Sequence, residues 1–152
     1  MIKQTEDAKL LTALLHESFA QYASDTIPSS ALKETPESIE QLLLTGTEAY
    51  VYLLNQRPVG TVRTTIEGQA LMFSRLGVLP QYRNRGIARA LITFVEEKAR
   101  HEKWPLIRCG VRKKERSNIA LYERLGYSIV NEEVSPRHEE PLIIVTIEKQ
   151  LF

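Results

Sequence analysis

Apolar residues near the start of the chain recur at the spacing of a helix. The positions that carry this pattern are Leu10, Leu11, Leu14, Leu15 and Phe19. A period of three to four residues places them on one face, so the pattern predicts an amphipathic helix over residues 5–22. Thr35, Pro36 and Glu37 then supply an N-cap, a first-turn proline and an acidic residue, which predicts a second helix ending near Leu44.

After Gly46 the pattern changes to that of strands. Three apolar or alternating segments, residues 48–54, 58–66 and 69–79, are separated by short polar turns, which predicts an antiparallel meander. The elements predicted after them are a helix over 86–101, a strand over 106–112, a helix over 117–125 and two strands over 127–134 and 141–149. This order predicts one mixed α/β or α+β domain that spans residues 1–152.

Composition excludes several function classes. The chain has 152 residues, 43% of them hydrophobic and 26% charged, which is typical of a folded globular domain. Its net charge of +1 provides no overall field for nucleic acid or for a membrane surface. No apolar run approaches the ~20 residues of a membrane span, and the first residues lack the order of a secretory signal, so we expect a cytoplasmic protein. The one cysteine, Cys109, indicates neither a disulfide nor a metal cluster.

The segment of residues 76–88 joins the third predicted strand to the long helix and has the features of an anion site. Pro80 ends the strand, and the helix begins at the small residues Gly86 and Ala88. Free N–H groups in a first helical turn bind phosphate, and Arg83 and Arg85 add planar donors nearby. The alternative is a solvated helix start whose arginines point at water. The spacing does not match the glycine pattern of nucleotide hydrolases or of dinucleotide-binding folds.

This segment resembles the hallmark of the GCN5-related N-acetyltransferase family. The family has Gln/Arg-x-x-Gly-x-Gly/Ala after a Leu-x-Val-x-Pro strand, and here residues 76–80 are LGVLP and residues 83–88 are RNRGIA. A second family signature, Asn…Ala…Tyr…Gly-Phe/Tyr, is similar to Asn118, Ala120, Tyr122, Gly126 and Tyr127. The order of predicted elements matches the family from end to end.

The resemblance implies a fold and a cosubstrate. The fold is a mostly antiparallel, twisted sheet of about six or seven strands with a splayed parallel pair and about four helices. Acetyl-CoA would lie between the strands of residues 69–79 and 106–112, where backbone groups pair with its pantetheine arm. The residues implied to bind it are Leu76, Gly77, Val78, Arg83, Asn84, Arg85, Gly86, Ile87, Ala88, Arg89, Asn118 and Tyr122. Gly77 would lie beside a bulge or a close ligand approach, or else would only be a small residue in a crowded sheet.

Tyr122 is the residue that we expect to act as general acid. Asn118 and Tyr122 are four positions apart on a predicted helix and so share a face. Acyl transfer from a thioester expels a thiolate, whose conjugate acid has a pKa near ~8.5, and a phenol with a pKa near ~10 can protonate it. The alternative role of Tyr122 is that of an aromatic packing anchor.

The base that takes the proton of the amine is not assigned by the sequence. Many family members carry a glutamate on the strand before the Leu-x-Val segment, and residues 71–75 here have none. Ser74 or Arg75 would order a water, or a loop residue would reach the site; the loop candidates are Glu67, His138, Glu139 and Glu140. The residues expected on the acceptor side are Tyr22, Ser29, Ser30, Arg63 and His138. Arg63 would bind a carboxylate of the acceptor or, as the alternative, would be an ordinary surface residue.

The resemblance implies an N-acetyltransferase that transfers acetyl directly from acetyl-CoA to a primary amine of a small molecule or a peptide. A non-catalytic acyl-CoA-binding or sensing domain is the alternative, since the strand glutamate is missing. A nucleotide-binding partner domain is a third hypothesis. Homodimers are frequent in the family, so a homodimer is expected by analogy. Cys109 is expected to be a core thiol, with an acetyl-cysteine route as the alternative.

Overall fold

The computed structural model describes residues 1–24, 29–135 and 142–152, and four α-helices and seven strands lie within them. The helices are α1 (Ala8–Ser18), α2 (Pro36–Leu44), α3 (Ile87–His101) and α4 (Arg116–Arg124). The strands are β1 (Ile2–Gln4), β2 (Glu48–Leu54), β3 (Arg57–Glu67), β4 (Ala70–Val78), β5 (Leu106–Arg112), β6 (Ser128–Ser135) and β7 (Leu142–Gln150). In this part of the chain, no helix has both the length and the apolar character that a membrane crossing requires.

The strands form one mixed sheet in the order β1-β2-β3-β4-β5-β7-β6. β4 and β5 are parallel, with Ala70 opposite Leu106 and Met72 opposite Arg108. β2 is antiparallel to β1 and to β3, and β7 is antiparallel to β5 and to β6. The predicted α/β class, with a mostly antiparallel sheet and a parallel pair, is confirmed.

The chain forms two compact units. The first consists of Met1–Thr65 and Phe73–Glu97, and the second consists of Ile66–Met72 and Lys98–Phe152. The expectation that residues 1–152 act as a single domain stays a prediction.

Helix α1 belongs to the first unit and is shorter than its apolar pattern predicts. It begins at Ala8 because the side chain of Asp7 caps it, accepting a hydrogen bond from the N–H of Leu10 at 3.1 Å. It ends at Ser18, and a 3₁₀ turn over Ala20–Ser24 follows. The predicted range of 5–22 was therefore wrong at both ends. At the C-terminal end the prediction ran on because the spacing of apolar residues in a 3₁₀ turn is close to that in an α-helix.

Helix α2, also in the first unit, begins as its sequence predicts. The Thr35 hydroxyl accepts a hydrogen bond from the N–H of Ser38 at 3.1 Å, and the Ser38 hydroxyl accepts one from the N–H of Thr35 at 2.9 Å. This reciprocal capping box satisfies two N–H groups that the helix itself leaves unpaired. Pro36 occupies the first turn, and the predicted helix ending at Leu44 is confirmed.

The second unit is built on β5, β7 and β6. Its core contains Ile107 from β5 and Val145 and Ile147 from β7, all buried. β6 lies at the edge of the sheet and exposes Ile129 and Val130. The prediction of two closing strands after the last helix is confirmed.

Strand β1 was not predicted from the sequence. It has three residues and pairs with β2, with Ile2 opposite Tyr52 and Gln4 opposite Tyr50. Three residues carry too little alternation to mark a strand, and the position of β1 depends on its pairing with a partner far along the chain.

Candidate functional site

The predicted cofactor-binding residues divide between the two units. Residues 76–78 and 83–89 lie in the first unit, on the end of β4, the following loop and the start of α3. Asn118 and Tyr122 lie in the second unit, on α4.

The first turn of α3 has the backbone geometry of an anion site. The first helical hydrogen bond runs from the N–H of Ala90 to the carbonyl of Gly86 at 3.0 Å, so the N–H groups of residues 87–89 precede the helical ladder. Asn84 and Gly86 have φ angles of +62° and +80°, and a side chain at Gly86 would meet open space. The first turn carries no acidic residue, so nothing there opposes the positive end of the helix dipole.

The guanidinium of Arg83 fastens this loop to the rest of the first unit. Its Nε donates to the carbonyl of Val78 at 3.1 Å, its Nη2 donates to the carbonyl of Ser18 at 2.8 Å, and its Nη1 donates to the side chain of Gln21. These three contacts hold the loop in shape and use one N–H of each nitrogen. The expectation that Arg83 supplies donors for a phosphate stays a prediction.

Arg85 is exposed and faces an aromatic ring. Its guanidinium carbon lies 5.2 Å from the centre of the Tyr82 ring, and that of Arg57 lies 5.8 Å from the same centre. Such cation–π contacts are weak at exposed sites, so they leave Arg85 able to reach a ligand. Arg89, the weaker candidate of the two, is also exposed on α3.

Strand β4 has a residue with a left-handed backbone conformation before the segment predicted to bind pantetheine. Arg75 has a φ of +52°, a left-handed conformation that is rare for a residue with a side chain and is concentrated at functional sites. The irregularity therefore lies at Arg75, one residue before Leu76. Val78 is buried, Leu76 is half-buried, and the N–H of Leu79 donates to the carbonyl of Val59 at 2.9 Å.

Gly77 is a glycine for reasons of packing. A Cβ atom there would lie 2.8 Å from the Cβ of Ser18 and 2.8 Å from Cε1 of Phe19, closer than real Cβ contacts. The end of α1 therefore presses directly on the backbone of β4. The structure favours the crowded-sheet interpretation of Gly77 over that of a close ligand approach.

Tyr122 lies in the second unit among residues of its core. Its side chain is 6% exposed, its ring meets that of Tyr127 edge-on at 5.7 Å, and its hydroxyl hydrogen-bonds the thiol of Cys109. Burial raises the pKa of Cys109 to about 12, although the Tyr122 hydrogen bond lowers it. The thiol also contacts the carbonyl of Gly110 at 3.5 Å. Asn118, one turn before Tyr122, is exposed.

The residues expected on the acceptor side have different surroundings. Tyr22 is half-buried, with its ring 5.8 Å from that of Phe19. Ser29 is buried, and its hydroxyl accepts a hydrogen bond from the N–H of Ala31, which ties it to its own turn. The hydroxyl of Ser30 accepts a hydrogen bond from Arg75 at 2.8 Å.

The remaining predicted loop residues are on the surface or outside the described part of the chain. Glu67, at the end of β3, is exposed. His138, Glu139 and Glu140 lie outside the described residues. Among the residues that the structure describes, no group of three His, Cys, Asp or Glu side chains is placed to hold a metal ion, and the absence of a metal stays a prediction.

Comparison with known proteins decides the family. The model of the Acetyltransferase (GNAT) family matches residues 11–127 of this chain. The chain belongs to the GNAT acetyltransferase family.

Solved structures agree with this GNAT assignment at the level of the fold. The acetyltransferase of the GNAT family from Streptococcus pneumoniae is similar with a TM-score of 0.79 at 17% identity, covering 100% of this chain and 99% of that one. A ribosomal-protein-alanine N-acetyltransferase from Brucella melitensis gives 0.79 at 21% identity, covering 99% of each chain. An N-acetyltransferase from Staphylococcus aureus Mu50 gives 0.79 at 15% identity, covering 100% of this chain and 98% of that one.

In this GNAT chain, sequence reasoning missed Glu34, the carboxylate that Arg63 contacts. Its Oε1 lies 2.5 Å from Nη1 of Arg63, and its Oε2 lies 2.8 Å from Nε of Arg75. His16 Nε2 lies 2.7 Å from the backbone oxygen of Glu34. Glu34 follows a short 3₁₀ turn and has no motif around it, and its partners are 29 and 41 positions away. No local signal in the sequence identifies it.

Proposed function

We propose that this protein transfers an acetyl group from acetyl-CoA directly to a primary amine of a small molecule or a peptide. Membership of the GNAT family and the acetyltransferase fold support an acyl transfer reaction. The observation that carries the proposal is the first turn of α3, where N–H groups that precede the helical hydrogen bonds, open space at Gly86 and the absence of acidic residues suit a pyrophosphate.

The residues of the first unit fit the long anionic cosubstrate. Backbone groups of residues 83–88 would hold its pyrophosphate, and the exposed guanidiniums of Arg85 and Arg89 would add charge. Residues 76–78 would pair with its pantetheine amides as one strand pairs with another. Arg83 would hold the loop in its binding conformation, so the loop would lose little conformational entropy when the cosubstrate binds.

When bound, acetyl-CoA supplies a thioester whose sulfur is the leaving group. In the overall transfer a C–N bond forms and the C–S bond breaks, the amine loses a proton and the sulfur gains one. The Tyr122 hydroxyl would donate a hydrogen bond or a proton to that sulfur. A phenol suits this step because its ordinary pKa is near ~10. Its burial among Tyr127 and Cys109 would limit the directions in which the hydroxyl points.

The state of Cys109 supports direct transfer rather than an acetyl-cysteine route. A thiol acts as a nucleophile in its thiolate form. With its pKa raised to about 12 by burial, Cys109 stays protonated at neutral pH. The amine would therefore attack the thioester carbonyl directly, in a ternary complex.

Two measurements test the proposal. Coenzyme A should raise the Tm of the protein, whereas ATP and NAD should not; a ligand at a hundred times its Kd stabilises by ~2.7 kcal/mol. With acetyl-CoA and a panel of primary amines, a thiol reagent should then detect coenzyme A release that depends on the amine. A greater shift with ATP or NAD, or no shift with any of these ligands, would argue against the proposal.

The alternative is an acyl-CoA sensor without catalysis, which the absence of a glutamate in residues 71–75 favours. The same assay separates the two. Tight binding of acetyl-CoA without amine-dependent release across the panel would indicate the sensor, and release that follows the amine concentration would indicate the enzyme.

A further inference from the structure

The carboxylate of Glu34 receives hydrogen bonds from arginines on two strands of the first unit. Arg63 on β3 donates from Nη1 to Oε1 at 2.5 Å and from Nη2 to Oε2 at 3.2 Å, which is a bidentate contact. Arg75 on β4 donates from Nε to Oε2 at 2.8 Å. The side chains of Glu34 and Arg63 are each 12% exposed, and that of Arg75 is 24% exposed. One part-buried carboxylate therefore links β3 and β4 to the segment before α2.

The backbone of Glu34 is held independently of β4. Its N–H donates to the carbonyl of Ala31 at 3.3 Å, and its own carbonyl oxygen lies 2.7 Å from Nε2 of His16 on α1. The next residue, Thr35, is the N-cap of α2. The bidentate contact from β3 also fixes the plane of the carboxylate. The carboxylate of Glu34 is therefore a fixed point to which β4 is attached.

The backbone of Arg75 has a conformation that costs free energy. Its φ is +52°, in the left-handed region, where the Cβ of an L-residue comes too close to a backbone oxygen. Its guanidinium is bound at two points of the segment of residues 30–34. Nε binds Glu34, and Nη2 donates to the hydroxyl of Ser30 at 2.8 Å. These contacts favour one placement of the side chain and so offset part of the cost of the backbone conformation.

The conformation of Arg75 affects the geometry of the residues that follow it. The ladder between β4 and β5 covers residues 70–72 of β4, so Arg75 lies beyond it. A left-handed residue rotates the next peptide units relative to a regular strand, which changes the direction of their N–H and C=O groups. Those units belong to residues 76–78, the segment proposed to pair with the pantetheine amides. A change of conformation at Arg75 would therefore alter the groups that the cosubstrate meets.

We propose that Glu34 is a positioning residue for the cosubstrate. By binding the guanidinium of Arg75 it keeps that residue left-handed, and the left-handed backbone keeps residues 76–78 in the form that binds the pantetheine arm. The competing role is that of an ion pair that only stabilises the fold. This inference rests on the proposed function for the identity of the cosubstrate, and on the contacts of Glu34 and Arg75 for the positioning.

Replacements of Arg75 separate the two roles. Arg75→Gly and Arg75→Ala both delete the side chain with every contact that it makes, but only glycine adopts a φ near +52° without strain. Positioning predicts that Arg75→Gly binds coenzyme A within about 3-fold of the wild type and that Arg75→Ala raises the Kd about 5- to 30-fold, the range for a left-handed alanine. Arg75→Asn should lie between them. Equal Kd values in the glycine and alanine variants would overturn the proposal.

A double-mutant cycle tests Glu34 itself. Glu34→Gln keeps the shape of the side chain and weakens its contact with Arg75, so the Kd of coenzyme A should rise about 3- to 10-fold. The same replacement in the Arg75→Gly protein should leave the Kd unchanged, since no guanidinium remains there to be held. Circular dichroism checks that each variant is folded. Equal effects in the two backgrounds would mean that Glu34 acts on affinity by another route, and the proposal would be wrong.

Lys103 provides the matched control. It is exposed, follows α3 and also has a left-handed φ, of +64°. Lys103→Gly and Lys103→Ala remove a positive charge as the Arg75 variants do. They should differ from each other in Tm, with no change in the Kd of coenzyme A. A difference in Kd between them as large as that at Arg75 would show a general effect of backbone strain and would contradict the positioning role.

A fragment of the cosubstrate shows which part of it is affected by Arg75. The loss of affinity in Arg75→Ala should be absent with 3′-phosphoadenosine 5′-diphosphate, which lacks the pantetheine arm, and calorimetry measures both ligands. An equal loss with this fragment would refute the assignment to residues 76–78. If coenzyme A binds with the expected differences and no amine is acetylated, the positioning role holds and the proposed function fails. If coenzyme A does not bind to the wild type, both fail.

Discussion

Replacing Arg83 by methionine removes three hydrogen bonds and keeps most of the aliphatic length of the side chain. Two of the acceptors are the carbonyls of Ser18, at 2.8 Å, and of Val78, at 3.1 Å, and both contacts are part-buried. A part-buried bond from a charged donor contributes about 1–2 kcal/mol, and the exposed bond to Gln21 less than about 1 kcal/mol. We therefore expect Arg83→Met to lower the free energy of unfolding by about 2–4 kcal/mol.

Urea and thermal unfolding measure this loss. For a protein of this size each kcal/mol corresponds to roughly 2–4 °C, so the Tm should fall by about 4–16 °C. Affinity for coenzyme A should fall as well, because the loop before α3 loses its anchor. The dependence of that affinity on salt should stay as in the wild type, since no contact between a cation and a phosphate is removed.

Arg85→Met is the matched control, because Arg85 lies two residues further along the same loop and is exposed. Its free energy of unfolding should change by no more than about 0.5 kcal/mol. Its affinity for coenzyme A should fall and become less sensitive to salt. The opposite pattern, with Arg83→Met unfolding like the wild type and losing salt-dependent affinity, would show that Arg83 binds phosphate directly and that our account of its hydrogen bonds is wrong.

Three further changes have defined outcomes. Gly77→Ala places a Cβ 2.8 Å from atoms of Ser18 and Phe19, so urea unfolding should show a free energy of unfolding lower by about 1–3 kcal/mol. An unchanged unfolding midpoint would mean that α1 moves away from β4 without an energetic cost. Burial raises the pKa of Cys109 from 9.0 to about 12, so with rising pH the thiol loses its proton in the unfolded chain first. The free energy of unfolding should therefore fall between pH 9 and 12 but not below pH 9. Cys109→Ala should lack this pH dependence, and a dependence of equal size in the variant would contradict the assignment. Tyr122→Phe should lower kcat about 100-fold or more with little change in the KM of acetyl-CoA, and full turnover at saturating substrates would remove Tyr122 from the mechanism.

Local signals in the sequence were sufficient for most of the fold. The N-cap of α2 could be predicted because Thr35, Pro36 and Glu37, which mark a helix start, are adjacent in the chain. The loop before α3 could be predicted because its glycine and its arginines are adjacent in the chain. The order of helices and strands followed from the hydrophobic pattern, and apart from β1 the structure confirms it.

The features that sequence reasoning missed depend on contacts between distant residues. The side chain of Glu34 is held by hydrogen bonds from Arg63 and Arg75, which lie on strands later in the chain. The left-handed backbone of Arg75 has no signature, because arginine is not a residue that favours this conformation. The contact of Arg83 with the carbonyl of Ser18 was missed for the same reason, since the two residues are 65 positions apart.

The burial of Cys109 has a practical consequence for spectroscopy. The chain contains one cysteine, and its thiol is both enclosed and protonated at neutral pH, so it competes poorly for maleimides and similar reagents. A fluorophore or nitroxide attached through Ser30→Cys, beside Arg75, would then be the dominant label on the molecule. Its emission or mobility would report the binding of small molecules near Arg75 without any need for turnover.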